Sequence, residues 1–386
     1  MSVIACGEFL IPSEPNDKWA VVACDQYTSS PEYWESEKSR IGSAPSTLNL
    51  ICPEAFLGDI DARIPLITEC AERYAAAGIF EKVNGLILTK RTTGGVERYG
   101  LVCTVDLEKY AFSGDAPVRA TEGTVIERIP PRLAVRRASR FDASHVLCLI
   151  DDEDRTVVEP LIGKGVKLYE ADLGRGGKLE GFSVDDPQRV LGALSALERK
   201  AEKEGKPFIL VGDGNHSLAS AKALYEELKA AGDRHAARAR YAVVEIENLR
   251  SDAIVFHPIH RILYNTDIEA DKLDFGRGGK FTVVGKTDAE APCDADGIET
   301  YRAVQSYIDG YIAAHPKAKV DYVHGEAELR ELCEKHGAIG FVMPAISKAA
   351  FFGYIAVHGV LPRKTFSMGE AWEKRYYYEL RDIRAD

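Results

Sequence analysis

No two of the eight cysteines stand in a C-x-x-C pair, and none form a dense cluster. That spacing excludes the disulfide-stapled secreted domain and fits a reducing cytoplasm. No uninterrupted apolar run reaches membrane-spanning length. The most apolar window, 339–362, is broken by Pro344 and Lys348, and its small residues read as packed strands. The N-terminal stretch MSVIACGEFLIPSEPNDKW has no basic segment ahead of an apolar one, so it reads unlike a signal peptide. Positive charge is also in deficit. Lys plus Arg total 49 against 60 Asp plus Glu, a formal charge of −11, which disfavours a broad surface for duplex nucleic acid or an anionic membrane. H-E-x-x-H, G-x-S-x-G and a G-x-G-x-x-G after a strand are all missing.

What is present is an ordinary globular mixture, 45% hydrophobic, 28% charged and 9% aromatic over 386 residues, enough for two or three domains with sizeable cores. WAVVAC (19–24) reads as a short strand, and Ser30-Pro31 opens a helix. Residues 61–77 carry apolar positions near a 3.6 period up to Gly78. NGLILTK and GLVCTVDL around a Gly-Gly turn predict a β-hairpin over 86–107. HVLCLIDD (145–152) reads as a buried strand, 186–204 as an amphipathic helix, and HPIHR (257–261) as a loop. Looser composition after Asn265, with GRGGK and DAEAPCDADG, places a boundary near residue 265.

The most informative passage is PFILV, then GDGNHS, then LASAKALYEELKAAG: a strand, a tight polar turn and a helix. The amides of Gly214, Asn215, His216 and Ser217 then lie at the positive end of a helix, a natural seat for phosphate. Gly214 permits the turn, Asn215 or Ser217 can cap the helix, and Asp213 sits where a metal ion or a reacting hydroxyl would have to mediate between it and an anion. Two GRGGK segments, 174–178 and 276–280, fail the phosphate-loop test, because Leu179 and Phe281 replace Ser or Thr and the upstream glycine is missing. They read as basic turns. In HPIHR, His260 and Arg261 suit substrate binding better than zinc, since no further ligand stands at metal spacing. Glu122 in RATEGT lies among Arg119, Arg128, Arg132, Arg136 and Arg137, a basic island in an acidic chain.

Several segments, taken in order, resemble the prokaryotic family catalogued as domain of unknown function 1015: CDQY with SSPEYW (24–34), ERYGLVCTVDLEKY (97–110), RATEGT (119–124), VGDGNHSLASAKA (211–223), HPIHR, and KTFSMGEAWEKRYY (364–377). Many members read D-G-H-H-R where this chain has Asp213-Gly214-Asn215-His216-Ser217, so the arginine's phosphate contact must come from elsewhere. Members often show H-E where this chain has Thr121-Glu122.

The acidic turn opening a helix is also similar to the ParB/sulfiredoxin-like superfamily, which includes free serine kinases. That resemblance implies a mixed α/β (α+β) fold with a ParB/serine-kinase-like core over 119–265, flanked by α/β regions 1–118 and 266–386. It further implies ATP or ADP with Mg²⁺ as cofactors. Glu122 would be the base toward a hydroxyl substrate, Asp213 would orient that hydroxyl or Mg²⁺, and His216 and Asn215 would hold phosphate. Gly212, Gly214 and Ser217 complete the cradle, with Arg132, His260 and Arg261 as charge-compensating candidates.

The expectation is a kinase transferring phosphate to a small alcohol, free L-serine first. The alternatives are a nucleotide-binding regulatory or scaffold protein of ParB-like type without turnover, and a metal-dependent phosphatase or nuclease using Asp213 and His216. Expected partners are the nucleotide and a small hydroxylated molecule, without duplex nucleic acid or membrane, and with a homo-oligomer allowed. Sulfiredoxin-like chemistry is disfavoured because the turn holds no cysteine.

Overall fold

Gly94 and Gly95, at φ +58° and +83°, reverse the chain between the strands Ile87–Thr93 and Val96–Asp106. Two consecutive positive φ values are what a tight two-residue hairpin requires, so the expected hairpin forms in register from Thr93↔Val96 to Ile87↔Val102. The computed structural model describes residues 2–295 and 297–385.

The hairpin lies within a mixed ten-stranded sheet. Its order is Lys167–Asp172, Lys178–Ser183, Ile87–Thr93, Val96–Asp106, Tyr241–Asn248, Leu147–Ile150, Ile209–Asp213, Val118–Ala120 and Tyr110–Ala111, with Ile4–Ala5 added beside Val96–Asp106. Leu147–Ile150 runs parallel to Tyr241–Asn248, and Ile209–Asp213 parallel to Val118–Ala120. Successive side chains go to opposite faces. Leu88, Cys103 and Val244 join one core with Val211, Leu194 and Leu218, whereas Ile87, Val102 and Val243 join the other with Trp19, Trp34 and Tyr377. Each fully buried aliphatic side chain in these layers contributes roughly 1.5–3 kcal/mol relative to exposure. The amphipathic helix expected over 186–204 forms as Pro187–Lys203 and buries Val190 and Leu194.

Residue contacts divide the chain into two compact units: Met1–Ala120 with Thr124–Ile254 and Glu370–Asp386, and Thr121–Gly123 with Val255–Gly369. The first two regions expected from sequence therefore fall largely in one unit, and the third contributes to both. In the second unit, a six-stranded sheet runs Ala289–Asp294, Gly278–Val284, Ile339–Phe341, Phe256–Tyr264 and Lys319–His324, with Phe366–Met368 on the other end of Phe256–Tyr264. Two sequence expectations are corrected there. HPIHR is not a loop but the middle of Phe256–Tyr264, because pairing with Lys319–His324 and Ile339–Phe341 overrides its polar composition. The 339–362 window is not strands alone, since Lys348–His358 is a helix begun by Ser347, whose hydroxyl accepts from the Ala350 N–H at 3.4 Å. The chain is a mixed α/β protein. Among the described residues, no helix is long and apolar enough to cross a membrane.

Candidate functional site

The strand Ile209–Asp213 ends at Gly214, which is left-handed at φ +81° and passes so close to the neighbouring strand's approach that an added Cβ would lie 2.9 Å from Val146 Cα. A side chain is thus excluded by both conformation and space. The Asp213 Oδ1 accepts the Gly214 N–H at 3.0 Å, and the helix Asn215–Ala230 opens with the Leu218 N–H donating to the Gly214 carbonyl at 3.0 Å. Gly214, rather than Asn215 or Ser217, occupies the cap position; Asn215 is the first helical residue. The amides ahead of Leu218 form the helix's positive end.

Beside this end lies a cavity of about 60 Å³ lined by Cys24, Arg132, Arg136, His145, Ser217 and Tyr377, among others. Arg136 bridges Asp142 Oδ1 at 2.5 Å and donates from Nη2 to the Ser217 hydroxyl at 3.1 Å. It thereby brings a guanidinium to the position where the D-G-H-H-R arginine is missing. Arg132 forms an ion pair with Glu54. The Lys374 ammonium stands 3.5 Å from Asp213 Oδ2. His145 Nδ1 and the Tyr377 hydroxyl are 2.6 Å apart, and His145 Nε2 is 3.8 Å from Asp25 Oδ2.

Burial pushes the His145 imidazole below its ordinary value, against the pull of Asp25 and Asp213. Burial also acts to raise the Asp25 carboxyl, but His145, the Gln26 hydrogen bond, Lys374 and Arg132 outweigh it and hold the group low, so it is charged at neutral pH. The Cys24 thiol is pushed up to about 12 by burial and the neighbouring Asp25. It is a protonated wall group rather than a nucleophile.

The family model described as "Protein of unknown function (DUF1015)" matches residues 11–337. The chain belongs to this family. No curated protein matches. Among solved structures, a free serine kinase in complex with AMP is 13% identical with a TM-score of 0.39, covering 75% of this chain and 93% of its own. A conserved hypothetical protein from Pyrococcus furiosus is 12% identical at a TM-score of 0.36, covering 72% and 94%. SbnI with a C-terminal truncation, from Staphylococcus aureus, is 10% identical at a TM-score of 0.36, covering 69% and 83%.

The family segments CDQY, VGDGNHSLASAKA and EKRYY converge here, through Asp25, Asp213, Ser217, Lys374 and Tyr377. Gly212, Asp213, Gly214, Asn215, His216, Ser217 and Arg132 all belong to the first unit. The His216 Nε2 accepts the Val125 N–H at 3.0 Å, which fixes that nitrogen as an acceptor. Asn215 Oδ1 is buried with no hydrogen-bond partner.

Glu122, His260 and Arg261 belong to the second unit. Burial raises the Glu122 carboxyl while the Thr365 and Lys364 amides, donating at 3.0 and 3.3 Å, act to lower it. The net direction is upward. These bonds latch the short 121–123 segment against residues 361–365, where the Leu361 N–H also donates to Thr121 O at 2.8 Å. Replacing Glu122 with Gln keeps one acceptor oxygen and turns an NH2 donor toward the other backbone amide. The expected loss of stability is on the order of 1.5 kcal/mol, read from urea unfolding midpoints, and an unchanged midpoint would refute the latch. His260 Nδ1 accepts the Met343 N–H at 3.0 Å. The Arg261 guanidinium packs 4.9 and 5.5 Å from the rings of Tyr301 and Tyr322.

Neither GRGGK segment is a phosphate loop. Arg175 lies 3.4 Å over the Trp372 ring, and Gly176 O accepts from Arg91 Nε at 2.9 Å. Arg277 pairs with Asp274 at 2.6 Å.

No group of three or more His, Cys, Asp or Glu side chains is arranged to hold a metal ion among the described residues. Asp213, the one expected Mg²⁺ ligand, already receives its own turn amide and faces an ammonium. Among the described residues, Asp213 and its neighbours do not form a divalent-cation site.

The sequence assigns Asp25, His145 and Lys374 no site role, and marks Arg136 only as one member of a basic island. Their segments carried the family signal for Asp25 and Lys374, but only folding brings an N-terminal aspartate, a mid-chain histidine and a C-terminal lysine together.

Proposed function

We propose that this protein binds a nucleoside di- or triphosphate at the Asp213–Ser217 turn and transfers a phosphoryl group to the hydroxyl of a small metabolite, with free L-serine the first to test. The observation that carries this reading is the left-handed Gly214, which sets the positive end of the helix Asn215–Ala230 beside the wall formed by Arg132, Arg136 and Ser217. Phosphoryl transfer asks mainly for positioning and charge compensation. Backbone amides, the Arg136 guanidinium and the Lys374 ammonium supply positive groups around one turn.

Pairing of Asp213 with Lys374 favours a second reading, a nucleotide-responsive regulatory protein without turnover. Calorimetric titration with ATP, ADP and CTP, followed by mass spectrometry of incubations with hydroxylated metabolites, separates the two. The transferase requires nucleotide binding together with phosphorylated product that forms only when an acceptor alcohol is added. Binding without product supports the regulatory reading, and failure to bind any of the three nucleotides removes both.

A further inference from the structure

Asp25 is a charged, partly enclosed carboxylate with an open oxygen. Its Oδ1 accepts the Gln26 side-chain amide at 3.0 Å, while its Oδ2 faces His145 Nε2 at 3.8 Å, too far for a hydrogen bond. The Asp25 side chain keeps 30% of its surface exposed, against 5% for His145.

The backbone around it is fastened at several points. The Ala23 N–H donates to Arg375 O at 3.0 Å, the Gln26 N–H to Ala23 O at 3.1 Å, the Glu54 N–H to Cys24 O at 2.8 Å, and Trp34 Nε1 to Gln26 O at 3.3 Å. Tyr27, two residues on, is held at φ +52°, a conformation that bulky residues avoid. Such strain persists only where surrounding contacts over-determine it, and it concentrates at functional sites. His145 in turn is fixed by the Tyr377 hydroxyl at 2.6 Å and feels the charges of both Asp25 and Asp213. Two carboxylates thus flank one neutral imidazole at the start of the phosphate-seating helix.

We propose that Asp25 is the catalytic carboxylate that receives the acceptor alcohol, its Oδ2 taking the hydroxyl's hydrogen bond and then its proton. The inference rests on the phosphotransferase reading above. As the acceptor oxygen bonds to the terminal phosphorus of the nucleotide, the bond from that phosphorus to its bridging oxygen breaks. The electron pair stays on the departing nucleotide, and the alcohol's proton ends on Asp25. In protein kinases an aspartate likewise accepts the substrate hydroxyl's proton. His145 is a positioning residue, acting through Asp25.

The test compares wild type, Asp25→Asn and Asp25→Glu in the full-length protein. ATP affinity is measured by calorimetry, transfer by mass spectrometry, and L-serine binding by calorimetry on protein loaded with a non-hydrolysable ATP analogue. Asp25→Asn is expected to bind ATP within about 3-fold of wild type, to lose transfer by about 100-fold or more, and to lose L-serine binding, with Asp25→Glu keeping part of the activity. His145→Asn is expected to lower kcat while leaving the KM for nucleotide unchanged. Wild-type transfer by folded Asp25→Asn overturns the assignment, as does a wild type that binds ATP but neither binds nor phosphorylates L-serine. A wild type that binds no nucleotide removes the phosphotransferase reading, and this assignment with it.

Discussion

Replacing Gly214 with Val is expected to abolish nucleotide binding, by about 100-fold or more, and to cost on the order of 2–3 kcal/mol of stability. Two penalties combine. An L-residue at φ +81° pays about 1–2 kcal/mol for the left-handed backbone, and a β-branched one more. The new Cβ would also lie 2.9 Å from Val146 Cα and 3.2 Å from Val146 Cγ2. The first of these is backbone, so relief requires moving the residues that lead into Leu147–Ile150. That shift displaces His145 as well, whose Cδ2 would be 3.4 Å away. Gly214→Ala should show a graded version of both effects. Calorimetry with ATP and guanidinium unfolding read the two losses separately, and a folded Gly214→Val protein with wild-type affinity would show that this turn is not the nucleotide seat.

Arg375→Met is expected to destabilise the first unit strongly. Its Nη1 donates to Ser144 O at 2.7 Å, its Nη2 to Glu379 Oε2 at 2.8 Å, and its Nε lies 2.7 Å from Glu245 Oε2. All three side chains are buried. Removing the guanidinium takes the bonded cation from two buried carboxylates, although Arg98 and Arg91 still act on Glu245, at a cost of about 3 kcal/mol. Glu245 retains the Thr89 hydroxyl at 2.6 Å, and Glu379 retains Tyr169. Neither neighbour neutralises charge. Without Arg375 the Glu245 carboxyl, which burial pushes up, loses the foremost charge that holds it low, so the defect is full at neutral pH and shrinks as pH falls and Glu245 protonates. Guanidinium unfolding at neutral and mildly acidic pH should show the variant's deficit narrowing in acid, and Arg375→Met combined with Glu379→Gln should regain part of it at neutral pH. A deficit that is small, or that widens in acid, would contradict this account.

How far the sequence could be read follows from where the deciding information sits. The hairpin turns on Gly94-Gly95 and the helices on periodicity and start signals, all encoded within a few neighbouring residues. The GDGNHS turn was legible for the same reason, although its cap was not, because only the approach of Val146 shows that Gly214 must stand there. HPIHR was misread because strand pairing partners roughly sixty to a hundred and ten residues downstream outweigh its proline and its charges. Arg136 illustrates the remaining gap. Its value lies in reaching Ser217 across eighty-one positions of chain, a relation that no local pattern carries. Asp25 and Lys374 stood inside family segments, yet nothing in their immediate surroundings distinguished them from surface charges.

The chain leaves the first unit after Ile254 and returns to it only at Glu370. That late return supplies Lys374, Arg375 and Tyr377, as well as the strands Tyr376–Tyr377 and Leu380–Asp382 that close against Val21–Val22 and Gly7–Pro12. During synthesis on the ribosome, these early strands must therefore wait, with edges unpaired, for partners more than three hundred and fifty positions later to emerge. A premature stop anywhere in the excursion would release a nascent chain with its N-terminal sheets incomplete, a natural target for chaperones and proteases.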